Sequence, residues 1–103
     1  MSHTSLTNFG TVTTGSSVAV VDVNGRHGVT VSVFPGSGSA VLVEASTTQN
    51  AANRDDANWI PWPEGMAGVV TSKTTSTFYG ALFAVRITLT AGSSASTYEV
   101  VAL

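Results

Sequence analysis

Two histidines, His3 and His27, are the side chains best suited to exchange a proton or bind a metal ion near neutral pH. His3 is close to the N-terminus, and His27 lies between Arg26 and Gly28 in a predicted turn. The chain has no cysteine, and neither histidine belongs to an H-x-H or H-E-x-x-H motif. We therefore interpret both histidines as surface residues and expect no metal site that contains them.

Asp55 and Asp56 are the densest group of carboxylates, and with Asn53 and Asn58 they could offer oxygen ligands to a cation such as Ca²⁺. The spacing departs from the EF-hand pattern, because the central glycine and the closing glutamate are missing. These residue types also cap turns. The segment is interpreted as a solvated loop.

The residue types needed for catalysis are present but scattered. The six acidic residues are dispersed along the chain, and no serine lies in a G-x-S-x-G motif. Gly36-Ser37-Gly38 is glycine-rich, but no strand-to-helix junction follows that could aim amide groups at a phosphate. We expect a protein that is not an enzyme and that carries no cofactor.

The aromatic residues Trp59, Trp62 and Tyr79 are the strongest candidates for binding. An indole buries on the order of 200 Å² when it enters a core. Tryptophan is also enriched at protein interfaces, and exposed rings of this kind stack on sugars. Three roles stay open for these side chains: a plug in the core, a contact between subunits, or a platform for carbohydrate.

The composition predicts the elements that must position these residues. Among 103 residues are 15 valines and 15 threonines, whereas the residue types that favour helices are scarce. A chain of this length makes one domain. The predicted fold is all-β: a small antiparallel β-sandwich, of the jelly-roll or immunoglobulin-like kind, with about seven strands.

Alternation of apolar and polar residues places the strands. The predicted strands are Phe9 to Thr13, Ser17 to Val23, Gly28 to Phe34, Val41 to Ala45, Gly68 to Ser72, Val85 to Thr90 and Thr97 to Ala102. Their inward residues form the predicted core: Val20, Val29, Val31, Val33, Val41, Val43, Val85, Ile87, Leu89 and Val100. Asn24-Gly25, Pro35 to Gly38 and Gly92 to Ala95 carry turn-forming residues and are predicted hairpins.

Two segments lie outside this pattern. Residues 1–8 have little to bury and are predicted to form an extended N-terminal arm on a single β-sandwich domain of residues 9–103. Leu6 and Phe9 are its apolar anchors and the favoured contacts with a neighbouring subunit. The polar loop from Gln49 to Trp62 is long enough to reach beyond its own domain.

Charge narrows the possible partners. Ten per cent of the residues are charged, and six acids against four bases give a net charge of −2. We therefore expect no nucleic-acid partner, because phosphate binding needs an excess of cations. The longest apolar run has four residues, which is too short to span a membrane, and the N-terminus lacks the pattern of an export signal. Arg86 is predicted to form a cross-strand pair with Glu99.

The order of strand signals resembles small structural proteins of tailed bacteriophages, especially capsid decoration, or cement, proteins. The similar segments are GVTVSV at 28–33, PGSGS at 35–39, AVLVEAS at 40–46, ANW at 57–59 and AVRITLT at 84–90, followed by YEV at 98–100. The likeness covers about residues 16–102 and includes no catalytic motif.

The resemblance implies a virion protein made in the bacterial cytoplasm that lies on the capsid surface. It also implies the major capsid protein as partner and a homo-oligomer, a trimer first and a dimer second, because such proteins often lie on threefold capsid axes. A receptor- or carbohydrate-binding module of a phage fibre, spike or tail is the alternative function.

Overall fold

A computed structural model describes residues 6–66 and 68–103 and shows two packed antiparallel sheets. The nine strands are β1 (Leu6–Val12), β2 (Val18–Arg26), β3 (Val29–Phe34), β4 (Ala40–Ser46), β5 (Ile60–Pro61), β6 (Val69–Val70), β7 (Thr74–Phe78), β8 (Leu82–Ala91) and β9 (Ser96–Ala102). A single turn of 3-10 helix spans Ala51–Asn53. Both the all-β class and the antiparallel sandwich predicted from the sequence are confirmed.

Strand order identifies the type of sandwich. Sheet I has the order β1-β9-β3-β7, and sheet II has the order β2-β8-β4-β5. The short strand β6 also pairs with β4, on the same side as β5. If β5 and β6 are counted as one interrupted strand, each sheet has four strands. Successive strands then alternate between the sheets, except that β4 and the β5–β6 strand pair with each other in sheet II. This is the arrangement of a double-sheet jelly roll.

The core lies between the sheets and is dominated by valine. Nine of the ten predicted core residues are buried, and Val20 is the exception at 44% exposed. Val21 and Val23 are buried in its place. The run Val18-Ala19-Val20-Val21 is apolar throughout, so it contains no alternation that could show which residues point inward.

The predicted hairpins are turns, but they join different sheets. Asn24 and Gly25 have φ of 49° and 76°, as a turn of this type requires. They lie inside β2, at a register irregularity against β8, and the Asn24 amide donates to Asp22 Oδ1 over 2.9 Å. The next strand, β3, belongs to sheet I, so the predicted pairing of the two strands is wrong.

The other two turns also cross between the sheets, and hydrogen bonds join them at one end of the sandwich. Ser39 Oγ donates to the Ser94 carbonyl over 2.9 Å, and Ser94 Oγ donates to the Ser37 carbonyl over 2.8 Å. The Gly36 amide donates to Ser96 Oγ over 2.9 Å. Ser39 and Ser96 are buried, and these bonds satisfy their hydroxyl groups.

The predicted boundary between the N-terminal arm and the domain, after residue 8, lies too far along the chain. Strand β1 begins at Leu6, which pairs with Ala102, and Thr7 and Asn8 continue the pairing with β9. Residues 6–8 therefore belong to the sandwich, and residues 1–5 lie outside the described residues. The short strand β5 and the threonine-rich strand β7 were not predicted, because neither has an apolar alternation.

Candidate interaction surfaces

Trp62 fills the core beside the edge of sheet II. Its side chain is 1% exposed, its Nε1 donates to Ser76 Oγ over 2.9 Å, and its ring meets Phe78 edge to face with centroids 6.4 Å apart. Ser76 Oγ in turn donates to the Glu64 carbonyl. Of the three roles left open for this residue, the structure shows the core plug. Trp62, also named as an interface candidate, does not contact a partner with this ring, because the ring is already covered by its own domain.

Trp59 has a different position, half-buried on the outer face of sheet II. The guanidinium carbon of Arg86 lies 4.4 Å from the centroid of the indole ring. Arg86 also pairs with Glu44, with Nε and Nη2 at 2.9 and 2.8 Å from Oε1. The predicted partner of Arg86, Glu99, lies on β9 in the other sheet. That prediction is wrong because it assumed that β8 and β9, which are consecutive, also pair.

The predicted long loop folds back on its own domain. The 3-10 turn packs against β2 and β8, and its first residue, Ala51, is buried. The Asn58 amide donates to Thr48 Oγ1 over 3.0 Å, which closes the base of the loop. Ser46 and Ala84, a register pair of sheet II, are fully buried. Residues 47–59 therefore serve as a lid on one end of sheet II.

The carboxylates of this loop do not form a cation site. Asp56 accepts two hydrogen bonds of 2.9 Å from Arg54. These bonds, and then the charge of the guanidinium, lower the pKa of Asp56 and raise the pKa of Arg54. The described part of the chain contains no cluster of three or more residues of the types His, Cys, Asp and Glu that could hold a metal ion.

The outer face of sheet II beyond the lid carries apolar side chains. Val18, Val20 and Val69 are each at least 44% exposed. Register pairing places Val18 and Leu42 on either side of Thr88, with Val69 next to Leu42. Val18, Thr88, Leu42 and Val69 thus lie in one row across the sheet, and Val20 lies in the next row beside Arg86. The sequence does not indicate this row, because it depends on the pairing of strands that are distant in the chain.

Phe9 and Leu6 lie on β1, at the edge of sheet I. Phe9 is 73% exposed and points outward, whereas Leu6 is half-buried and packs against the core. Phe9 is thus available to a partner, and Leu6 supports the fold.

An open depression of about 500 Å³ lies beside Phe9 on the outer face of sheet I. Its lining residues are Phe9, Gly10, Thr11, Phe34, Thr97, Tyr98 and Glu99. The register explains this set, since Phe9 lies opposite Glu99, and Thr97 has Thr11 and Phe34 as its two neighbours. Lys73 Nζ lies 5.2 Å from the centroid of Phe34. Phe34 and Glu99 were missed as site residues, because only the register of three strands brings them together.

Tyr79 lies at one end of the sandwich, where its side chain is 79% exposed. With Arg26, His27, Gly28 and Leu103 it lines a shallow, mostly apolar hollow of about 370 Å³. His27 therefore reaches the surface, as predicted. The other histidine, His3, lies outside the described residues. Within residues 6–66 and 68–103, no helix has the length and apolar character needed to cross a membrane.

Comparisons with known proteins identify the fold. No protein-family model matches the sequence, and no curated protein is significantly similar to it. The core of NLP from Drosophila, whose structure was analysed for pentamer formation and histone binding, has a TM-score of 0.54 and 19% identity over 94% of this chain and 97% of that chain. The SPBc2 prophage-derived protein YomS has a TM-score of 0.55 and 14% identity over 99% of this chain and 96% of that chain. At these identities the two similarities show a shared fold.

Proposed function

We propose that this chain is a non-enzymatic structural protein of a phage virion that decorates the capsid surface by binding the major capsid protein. The observation that carries the proposal is that large apolar side chains are exposed on the outer faces of both sheets of a small sandwich. Phe9 is exposed on sheet I, and Val18 and Val69 are exposed on sheet II. Contiguous exposed apolar side chains are typical of surfaces that bind another protein.

The fold agrees with this proposal, because jelly rolls occur in viral shells. A solved structure with the same fold comes from a prophage-derived protein. The sequence resemblance to decoration proteins adds the capsid as the specific partner. Synthesis in the bacterial cytoplasm and a final location on the virion follow from the same resemblance.

We also propose that the chain forms a homo-oligomer, with the trimer implied by the resemblance first and the dimer second. The NLP core of Drosophila, which has the same fold, forms pentamers, so this kind of domain can build a cyclic assembly. Both sheets have edge strands that association would cover. Sedimentation equilibrium at micromolar concentration tests this proposal, and a monomer mass both free and on the capsid would contradict it.

The test of the capsid function is co-sedimentation of the purified chain with assembled shells of the major capsid protein of the same phage. The expected result is saturable binding with one fixed ratio of chain to capsid subunit. Host polysaccharide serves as the competing ligand. Binding to polysaccharide with none to shells would overturn the proposal and favour a receptor-binding module.

A further inference from the structure

The outer face of sheet II shows how this chain holds an arginine side chain. Arg86 lies between a carboxylate and an aromatic ring. Its Nη2 and Nε atoms lie 2.8 and 2.9 Å from Oε1 of Glu44, its register partner on β4. Its guanidinium carbon lies 4.4 Å from the centroid of the Trp59 ring. The guanidinium suits such a site because it is planar, forms bonds in a fixed geometry and stacks on rings.

The outer face of sheet I brings together the same two kinds of group. Glu99 on β9 and Phe9 on β1 are directly opposite in the register, and both line the depression of about 500 Å³. Cross-strand pairs of this kind have Cβ atoms about 5 Å apart. In residues 6–66 and 68–103, no Lys, Arg or His forms an ion pair with Glu99. Glu99 as a whole residue is half-buried.

The rest of the depression adds shape and hydrogen-bonding groups. Phe34 forms the wall across from Phe9, and Lys73 covers that ring on the side of β7. Thr11 and Thr97 form a register pair on the floor between the two rings. Their hydroxyl oxygens can accept hydrogen bonds from those N–H groups of a bound cation that do not bond to the carboxylate.

We propose that this depression binds an arginine side chain of a protein partner, with the guanidinium stacked on Phe9 and hydrogen-bonded to Glu99. The inference rests on the proposed function, because it names the chemistry by which the capsid protein is recognised. Arginine is favoured over lysine because only a planar, forked cation can contact the ring face and both carboxylate oxygens together. A neutral ligand would leave the charge of Glu99 without a partner.

The direct test is a titration of the isotope-labelled chain with Nα-acetyl-arginine methylamide, followed by amide chemical shifts in NMR spectra. The expected shifts centre on Phe9, Thr97 and Glu99. The citrulline analogue, which has the same shape without the charge, should bind about tenfold more weakly, since a charged partner roughly doubles the strength of a hydrogen bond. Glu99→Gln and Phe9→Leu should each weaken binding of the arginine probe. Glu64→Gln, which removes an equivalent charge from an exposed loop, should leave it unchanged.

Three results would overturn the inference: no shifts with tens of millimolar arginine probe, equal binding of the citrulline analogue, or the same shifts with a neutral oligosaccharide. Co-sedimentation of Glu99→Gln with capsid shells separates the two proposals. Undiminished binding of this variant would refute the arginine site and leave the capsid function intact. If the chain binds the arginine probe but does not bind capsid shells, the capsid function alone is refuted.

Discussion

Gly10 and Tyr98 are register partners on adjacent antiparallel strands, and the Tyr98 ring lies over the backbone of Gly10. A Cβ atom placed on Gly10 would overlap the Tyr98 hydroxyl and ring. β1 is an edge strand of sheet I, and a glycine there leaves backbone uncovered. The tyrosine ring, 8% exposed, supplies the missing cover and holds the edge strand to the core.

Replacement of Gly10 by alanine is expected to destabilise the domain. The new methyl group must displace an aromatic ring that is packed on its other side, and overpacking of this kind costs about 1–3 kcal/mol. Chemical denaturation measures the loss. Gly15→Ala is the matched control, because nothing lies within 4 Å of a Cβ at Gly15. Equal stability of the two variants would show that Tyr98 can move away from Gly10 at no cost.

Loss of the hydroxyl at Ser76 is expected to cost about 1–3 kcal/mol, because the buried indole N–H of Trp62 then lacks an acceptor. Thermal or chemical unfolding of Ser76→Ala, followed by tryptophan fluorescence, measures this cost. Ser72→Ala, at an exposed position in the preceding loop, is the control and should change stability by less than about 0.5 kcal/mol. A neutral effect at Ser76 would mean that the indole N–H finds another acceptor.

The two tryptophans should differ sharply when they are truncated to alanine. Trp62→Ala removes a fully buried ring and is expected to cost about 3–5 kcal/mol. Trp59→Ala removes a half-exposed ring whose main partner is Arg86, and a contact of that type contributes about 0.5–1 kcal/mol. Urea denaturation of both variants compares them, and a larger loss at Trp59 would contradict the assignment of Trp62 to the core.

The neighbouring valines of β2 test the orientation of that strand. Val21→Ala is expected to cost about 2 kcal/mol, since it removes two buried methyl groups and leaves a cavity. Val20→Ala removes the same groups from the outer face and should cost less than about 0.5 kcal/mol. The reverse order of losses would mean that β2 is shifted by one residue.

The pH dependence of the loop follows from the Arg54–Asp56 pair. Because Arg54 lowers the pKa of Asp56 in the folded chain, the pair is favourable above the ordinary aspartate pKa of 3.8. That contribution is lost as the pH falls through the lower folded value. Arg54→Gln should raise the midpoint of the Asp56 carboxyl titration measured by NMR, and Lys73→Gln, a charge removal elsewhere, should leave it in place. An unchanged midpoint in Arg54→Gln would contradict the ion pair.

Strand identity was predictable from the sequence where the alternation is strict. Val29, Val31 and Val33 are separated by hydroxyl residues, and all three are fully buried as predicted. Val20 was misassigned because its neighbours are apolar on both sides. Strand β7, with the sequence TTSTF, was missed because its inward positions include Thr74 and Ser76, which carry no apolar signal.

Strand pairing was much less predictable, because local turn chemistry does not show which sheet the chain enters next. Asn24 and Gly25 adopt the positive φ that their residue types favour, yet the chain continues into the opposite sheet. The same error assigned Glu99 as the partner of Arg86. The depression between Phe9 and Phe34 depends on three strands that are distant in sequence, so no local pattern indicates it.

The alternation of strands between the sheets also determines when the domain can fold. Strand β9, the last of the described strands to be synthesised, lies between β1 and β3 in sheet I. Until β9 leaves the ribosome, β1 lacks its strand partner in sheet I. The core residues of sheet II that β9 would cover stay exposed during that time. Since nearly every strand pair is distant in the chain, folding is expected in the range of about milliseconds to seconds. The newly made chain must therefore release β9 before the sandwich can reach its native state, and its apolar strands stay open to aggregation until then.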